Sequence, residues 1–247
     1  MKIYKYIYIY MKQLCYFIIS ISIIIIILIY IRFKEYTFIN ILTRTGNRKQ
    51  CFNNLMLTLN KQSNKNFKHI KSNDNKNCTF LNNYNHVIDV NKIYKSDLIQ
   101  NYCPYNLYLN QLIESVEKGW IIIIDDDCKF IDNRFLENLS YKLFFQNKND
   151  ILVYNIFLSP NKTIFPIYKN TTSEQLKNIK NGHFDMACMV FHSSNKTRFL
   201  EFCGGDYRFY KTAIDSGYKP KFLNIPIGIW ANYGGAKFGN NIDCAKL

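Results

Sequence analysis

Gly119-Trp120-Ile121-Ile122-Ile123-Ile124-Asp125-Asp126-Asp127-Cys128 is the stretch on which the fold turns. Four consecutive isoleucines bounded by turn-forming residues read as a short strand buried on both faces of a parallel sheet. The aspartates at its carboxyl end fall where open α/β sheets bind ligands. Carboxylates packed this closely repel one another, and a cation relieves the repulsion. The spacing therefore predicts a hard-metal site at residues 125–127. The competing reading is a plain Asp-rich turn that only ends the strand.

Outward from this strand, Leu109, Leu112, Ile113 and Val116 recur with helical spacing, and Phe135, Leu136, Leu139 and Leu143 do the same on the far side. Residues 38–42 read as a first strand, ending in Thr43-Arg44-Thr45-Gly46-Asn47-Arg48. Phe52, Leu55, Met56 and Leu59 then mark an amphipathic helix. Strands are expected at 67–71 (closing at Asn73-Asp74-Asn75), 87–90, 151–157, 163–168, 187–191 and 221–225, and a helix over 207–214. The Gly-rich stretch 230–239 reads as a loop. Strand and helix alternate in the first half, which implies right-handed βαβ crossovers and a mostly parallel sheet flanked by helices.

At 247 residues, with 48% hydrophobic and 16% aromatic residues, the chain supports a folded core and excludes a disordered one. A formal net charge of +14 suits anionic partners such as nucleotide phosphates or a membrane surface. The abundance of Ile, Asn, Lys, Tyr and Phe, all with A/T-rich codons, accounts for part of that charge. The lysines are scattered with no basic stripe, so no nucleic-acid partner is expected.

Between Lys12 and Arg32 lie nineteen uncharged residues dominated by isoleucine, enough to cross a hydrocarbon core of about 30 Å. No small-residue cleavage site follows, so a single signal-anchor helix is preferred to a cleaved signal peptide. The expected organisation is a short tail at 1–12, a transmembrane signal-anchor at 13–32 and one domain at 33–247. The charge bias favours a cytoplasmic N-terminus with the domain on the far, lumenal side; the opposite orientation stays open. Eight cysteines without C-x-x-C pairs make neither a zinc module nor a dense disulfide scaffold. Sequons at Asn77, Asn138, Asn161, Asn170 and Asn195 suit a lumenal domain, although so Asn-rich a chain produces them by chance.

The order of four motifs resembles the GT-A glycosyltransferases: residues 40–45 (Asn-Ile-Leu-Thr-Arg-Thr), the strand end at Asp74, the triplet Asp125-Asp126-Asp127, and Gly204-Gly205-Asp206. The likeness is to the family 2 type, including versions carried by large DNA viruses, and covers roughly residues 39–230. It implies an α/β GT-A (nucleotide-diphospho-sugar transferase) fold preceded by one transmembrane helix. It also implies transfer of a hexosyl or related sugar from a nucleotide-diphosphate donor to a glycan, protein or lipid hydroxyl, with Mn2+ or Mg2+. By the same resemblance, Thr43, Arg44, Thr45, Asp74, Asp125 and Asp126 would meet the donor, and Asp127 with Asp125 the metal. Asp206 would be the general base of an inverting reaction. Its Gly-Asp context departs from the Glu-Asp found in many members.

The chemistry asks for the same residue types. A departing diphosphate needs an all-oxygen divalent cation site, which keeps few protein ligands. An attacking hydroxyl needs one carboxylate across the sugar to take its proton. Asp206 also reads as a helix N-cap, and one residue can serve both ends. Arg44 reads equally as half of a surface ion pair. His183 and Asp185 are acceptor-side candidates, with His192 a weaker one. Trp230 is either a sugar-stacking ring or a half-buried core residue. Asp132 and Asp150 read as surface acids flanking helices. Rival readings are a retaining transferase on the same fold, a catalytically silent nucleotide-sugar or glycan-binding membrane protein, and a nuclease-like protein.

Overall fold

The computed structural model describes residues 2–45, 48–73, 79–90, 103, 105–159, 161–166 and 172–233. Asp74 and the sequons at Asn77 and Asn170 lie outside the described residues. A long helix, α1 (Lys2–Tyr36), runs into β1 (Ile39–Thr45), α2 (Lys49–Asn60), β2 (Phe67–Asn73) and β3 (Val87–Asp89). Then come α3 (Tyr105–Glu114), β4 (Trp120–Ile123), β5 (Lys129–Phe130), α4 (Phe135–Leu143), β6 (Asp150–Val153), β7 (Ile156–Leu158) and β8 (Thr163–Phe165). The described chain closes with α5 (Ser173–Lys177), a 3-10 turn (Met186–Cys188), β9 (Met189–His192), α6 (Gly205–Asp215), β10 (Lys219–Phe222) and β11 (Ile229–Ala231).

Among the described residues, seven strands form the main sheet in the order β10-β6-β9-β4-β1-β2-β3. Only β9 runs antiparallel, to β4 and to β6. A smaller sheet, β5-β11-β7-β8, stands beside it. Trp120, the four isoleucines 121–124, and Ile39, Ile41 and Leu42 of β1 are all 0% exposed. The uninterrupted apolar run is what a strand covered on both faces requires, and each such side chain contributes about 1.5–3 kcal/mol of burial. Gly119 opens this strand with φ +100°, and a Cβ there would lie 2.7 Å from the Phe38 carbonyl oxygen. Only glycine lets β4 begin this close to β1, where the Trp120 amide donates to Phe38 at 2.9 Å.

The Tyr10–Tyr36 section of α1 is 27 residues long, unburied, and apolar enough to cross a membrane by length and composition, a test that a signal sequence also passes. Its last turns dock on the domain. Phe33 packs 5.8 Å from Tyr141 and 5.3 Å from Phe144. Tyr36 donates its hydroxyl to the Gln146 carbonyl at 2.7 Å, and Trp120 Nε1 donates to the Tyr36 carbonyl at 3.0 Å.

Several expectations are corrected. The run 151–157 is not one strand: the chain leaves β6 after Val153 and joins the smaller sheet at Ile156. The start of the supposed loop 230–239 is a strand, since Trp230 pairs with Phe157 and with Lys129. Asp150 is 2% exposed, inside β6, and pairs with Lys221 at 2.7 Å, so it is no surface acid. Asn195 is 1% exposed and cannot accept a glycan without local opening. A disulfide joins Cys103 to Cys203, and Cys51 is also disulfide-bonded.

Candidate active site

The strand order reverses between β1 and β4: β1 continues outward to β2 and β3, β4 to β9 and β6. Such a switch point leaves a crevice beyond the carboxyl ends of the strands. The parallel register pairs Ile39 with Trp120 and Leu42 with Ile123. Carried three residues further, it sets Thr43, Arg44 and Thr45 against Ile124, Asp125 and Asp126. The hydrogen bonds follow that register: Thr43 Oγ1 donates to the Ile124 carbonyl at 2.7 Å, Arg44 Nη2 to Asp125 Oδ2 at 2.6 Å, and Thr45 Oγ1 to Asp126 Oδ2 at 2.8 Å.

Strand alternation then separates two kinds of residue. Thr43 and Thr45 are 0% and 1% exposed and spend their hydroxyls inside the protein. They hold the strand ends together and do not line the crevice. Because Thr43 donates to Ile124, it accepts from His69, which fixes the His69 proton on Nε2, 2.8 Å away. Arg44 reaches the crevice. Asp126 is 0% exposed and held by Thr45 and Arg48, whose Nε lies 3.1 Å from Oδ2. Asp125 and Asp127 keep side-chain exposures of 20% and 15%.

Arg48, just before α2, pairs with Asp126 and reaches Asp127 at 3.2 Å. It was not singled out from the sequence. Its signal was present in the spacing: a second arginine four residues beyond Arg44, directly before a helix. Burial alone would lower both guanidinium pKa values; the neighbouring carboxylates more than reverse it, Asp125 first for Arg44 and Asp126 first for Arg48. Both arginines stay charged.

A second pair of acids faces this lattice. Asp206 is the second residue of α6, whose N-cap is Gly204 in the left-handed conformation at φ 74°. The expected N-cap role is therefore corrected. The backbone of Met186 and its own amide favour the charged form of Asp206. Asp185 caps the 3-10 turn, accepting from the Ala187 amide at 2.8 Å. Burial raises the Asp206 pKa to about 6, with Asp125 adding to the rise and Arg44 opposing it. Burial raises Asp185 to about 8, with Asp206 next in effect, which places the two carboxylates within electrostatic reach.

The segment feeding α6 is stitched to α3. Asn106 donates to the carbonyls of Leu200 and Phe202 at 3.2 and 2.8 Å. Asn110 exchanges two hydrogen bonds with the Phe199 backbone, at 2.9 and 2.8 Å. The Cys103–Cys203 disulfide locks the same seam.

The other candidates scatter. His183 is partly exposed in the turn before Asp185. His192 pairs with Trp120, at the opposite edge of the sheet from the aspartates, so it leaves the acceptor set. Trp230 is half-buried: its Nε1 donates to Ser159 at 2.8 Å, and Lys129 and Lys162 sit 4.4 and 4.7 Å from its ring. Among the described residues, no group of three or more His, Cys, Asp and Glu is arranged as a metal cage. Asp125 and Asp127 offer all-oxygen donors of the kind Mg2+ or Mn2+ takes, each already engaged by an arginine, Arg44 on Asp125 and Arg48 on Asp127.

No protein-family model and no curated protein matches the sequence. Solved structures do match. Residues 1–349 of S. aureus TarS in complex with UDP superpose with TM-score 0.55 at 14% identity, over 78% of this chain and 60% of that one. The fold is a GT-A-type glycosyltransferase fold. The longer S. aureus TarS structure matches with TM-score 0.54 at 13% identity, over 78% of this chain and 36% of that one. The mannosyltransferase PcManGT from Pyrobaculum calidifontis, in complex with GDP-Man and Mn2+, matches with TM-score 0.52 at 9% identity, over 82% of this chain and 58% of that one. The chain thus spans between 36% and 60% of the length of these neighbours.

Proposed function

We propose that this chain is a membrane-anchored, metal-dependent, inverting glycosyltransferase of the family 2 type, moving a sugar from a nucleotide-diphosphate donor to an acceptor hydroxyl. The observation that carries this reading is the ion lattice of Arg44, Arg48 and residues 125–127 at the switch point, with Asp206 and Asp185 facing it. Two neighbours with this fold were solved with UDP or with GDP-Man and Mn2+, which supports a nucleotide-sugar donor. Residues 13–32 act as the anchor and residues 33–247 as the transferase domain.

Asp127 and Asp125 would hold the divalent cation, which when bound neutralises charge on the departing diphosphate. Arg44 and Arg48 supply the remaining positive charge at the donor, and Asp126 and Thr45 keep Arg48 aimed at the crevice. Asp206 accepts the proton of the acceptor hydroxyl as its oxygen bonds to the anomeric carbon. The bond from that carbon to the diphosphate oxygen breaks, and the electron pair leaves with the nucleoside diphosphate. Asp74, beyond the end of β2, is kept as a contact to the base, and His183 and Asp185 as acceptor-side residues.

The test is a screen of nucleotide sugars with manganese on the detergent-purified full chain, reading released nucleoside diphosphate. Turnover with one donor that is lost in Asp206→Asn supports the reading. Donor binding without turnover for every donor and acceptor tried leaves the silent binding protein instead.

A further inference from the structure

The sheet edge opposite the aspartates carries a second feature. Where α1 meets the domain, Arg32, Glu35, Tyr36, Lys118, Lys148 and His192 line a cleft of about 170 Å³. Its charge is lopsided: Arg32, Lys118 and Lys148 face one acid, Glu35, which pairs with Lys118 at 3.4 Å through side chains 58% and 70% exposed. So exposed a pair holds Lys118 weakly. Beside the cleft, two large aromatic side chains stand in solvent, Tyr141 at 55% and Phe145 at 78% exposure. They belong to the cluster that grips α1, since Phe33 packs on Tyr141 and Phe144, and Phe144 on Phe145. Aromatic rings and lysines grouped around the end of an apolar helix match the chemistry of a bilayer interface, with rings at headgroup depth and cations on lipid phosphates.

We propose that this end of the domain is a lipid-headgroup surface, on which the cleft of Arg32, Lys118 and Lys148 holds the phosphate of an anionic phospholipid while Tyr141 and Phe145 rest at the acyl boundary. The proposal rests on α1 spanning the membrane. It adds that the domain lies against the bilayer by its base and is not held by the helix alone. Headgroups displace Glu35 from Lys118, and the exposed rings lose their water.

The experiment compares the full chain in nanodiscs of neutral phosphatidylcholine with the full chain in nanodiscs holding about 30 mol% phosphatidylglycerol. The readout is backbone hydrogen exchange over residues 118–119 and 141–148. Expected is slowing of roughly tenfold in the anionic discs. The slowing is lost in Lys118→Glu/Lys148→Glu, while the chain still copurifies with the discs and keeps its thermal melting point. Exchange that is equal in both lipids, or slowing that survives the double variant, overturns the proposal with the anchor intact. A chain that fails to enter either disc overturns the membrane-spanning reading and this proposal with it. A variant with lowered melting is replaced by Phe145→Ser, which must reduce the slowing on its own.

Discussion

Arg44 and Asp125 face each other across β1 and β4, Nη2 2.6 Å from Oδ2 and Nε 3.3 Å from Oδ1, with side chains only 14% and 20% exposed. This two-point pairing fixes the planes of both groups at the mouth of the crevice. It also gives Asp125 a cationic partner before any ligand arrives.

Arg44→Ala leaves Asp125 without its planar partner in a half-closed site. The expected cost is about 1–3 kcal/mol of stability, below the value for fully buried pairs because water reaches both groups. Urea unfolding measures it. Binding of a nucleoside diphosphate should weaken at least as much, and unchanged binding would remove Arg44 from the donor site.

Manganese and a nucleoside diphosphate should stabilise the protein only together. At a hundredfold excess over the dissociation constant the gain is about 2.7 kcal/mol, or a rise of several degrees in melting temperature for a domain this size. EDTA should abolish the rise, and Asp127→Asn should prevent it. A full rise in the presence of EDTA would show donor binding without a metal.

Protonation should move stability and rate in opposite directions. Burial lifts Asp206 to about 6 and Asp185 to about 8, both above their ordinary range. A carboxyl with a raised folded pKa holds its proton longer folded than unfolded, so its contribution to stability is full at low pH and fades as pH rises through the raised value. Melting temperature should therefore fall between about pH 4 and pH 8. Transfer needs Asp206 ionised, so the rate should climb through about pH 6. Asp185, lifted to about 8, still carries its proton at pH 6, so Asp185→Asn should leave that limb in place. A limb displaced to lower pH in this variant would show Asp185 ionised beside Asp206.

Gly205→Ala tests the seam that aims Asp206. A Cβ at this position would lie 2.5 Å from Asn106 Nδ2, the atom bonded to Leu200 and Phe202. The expected result is a loss of roughly 2–3 kcal/mol, with the turnover rate falling more than donor affinity. Cys103→Ser should act on the same seam, removing about 2–5 kcal/mol of stability. A drop in donor affinity with normal turnover would contradict this division of labour.

Much of this site could be read in the amino acids. The isoleucine run marks the central strand because a strand covered on both faces must be apolar throughout. Asp125 and Asp127 are legible because the residues after such a strand emerge at its open end. What escaped depends on pairing across distance. Arg48 looks like any basic residue before a helix until the register of β1 on β4 brings residues 125–127 opposite it. Asp150 looked like a surface acid because its partner Lys221 is assigned only by the pairing of β6 with β10. The apolar run from Ile151 to Phe157 hid a change of sheet, since burial has the same signature in either one.

Only Thr37 and Phe38 separate the end of α1 from the start of β1, the strand that ends at Arg44 and Thr45. The nine residue-to-residue steps from Tyr36 to Thr45 reach at most about 30 Å. With α1 in a bilayer, the crevice works at a set height, like a tool on a short fixed post. Acceptors would then be sorted by how far they project as well as by their chemistry. A sugar lying flat among the headgroups falls below the post's reach, and one carried far from the surface stands above it.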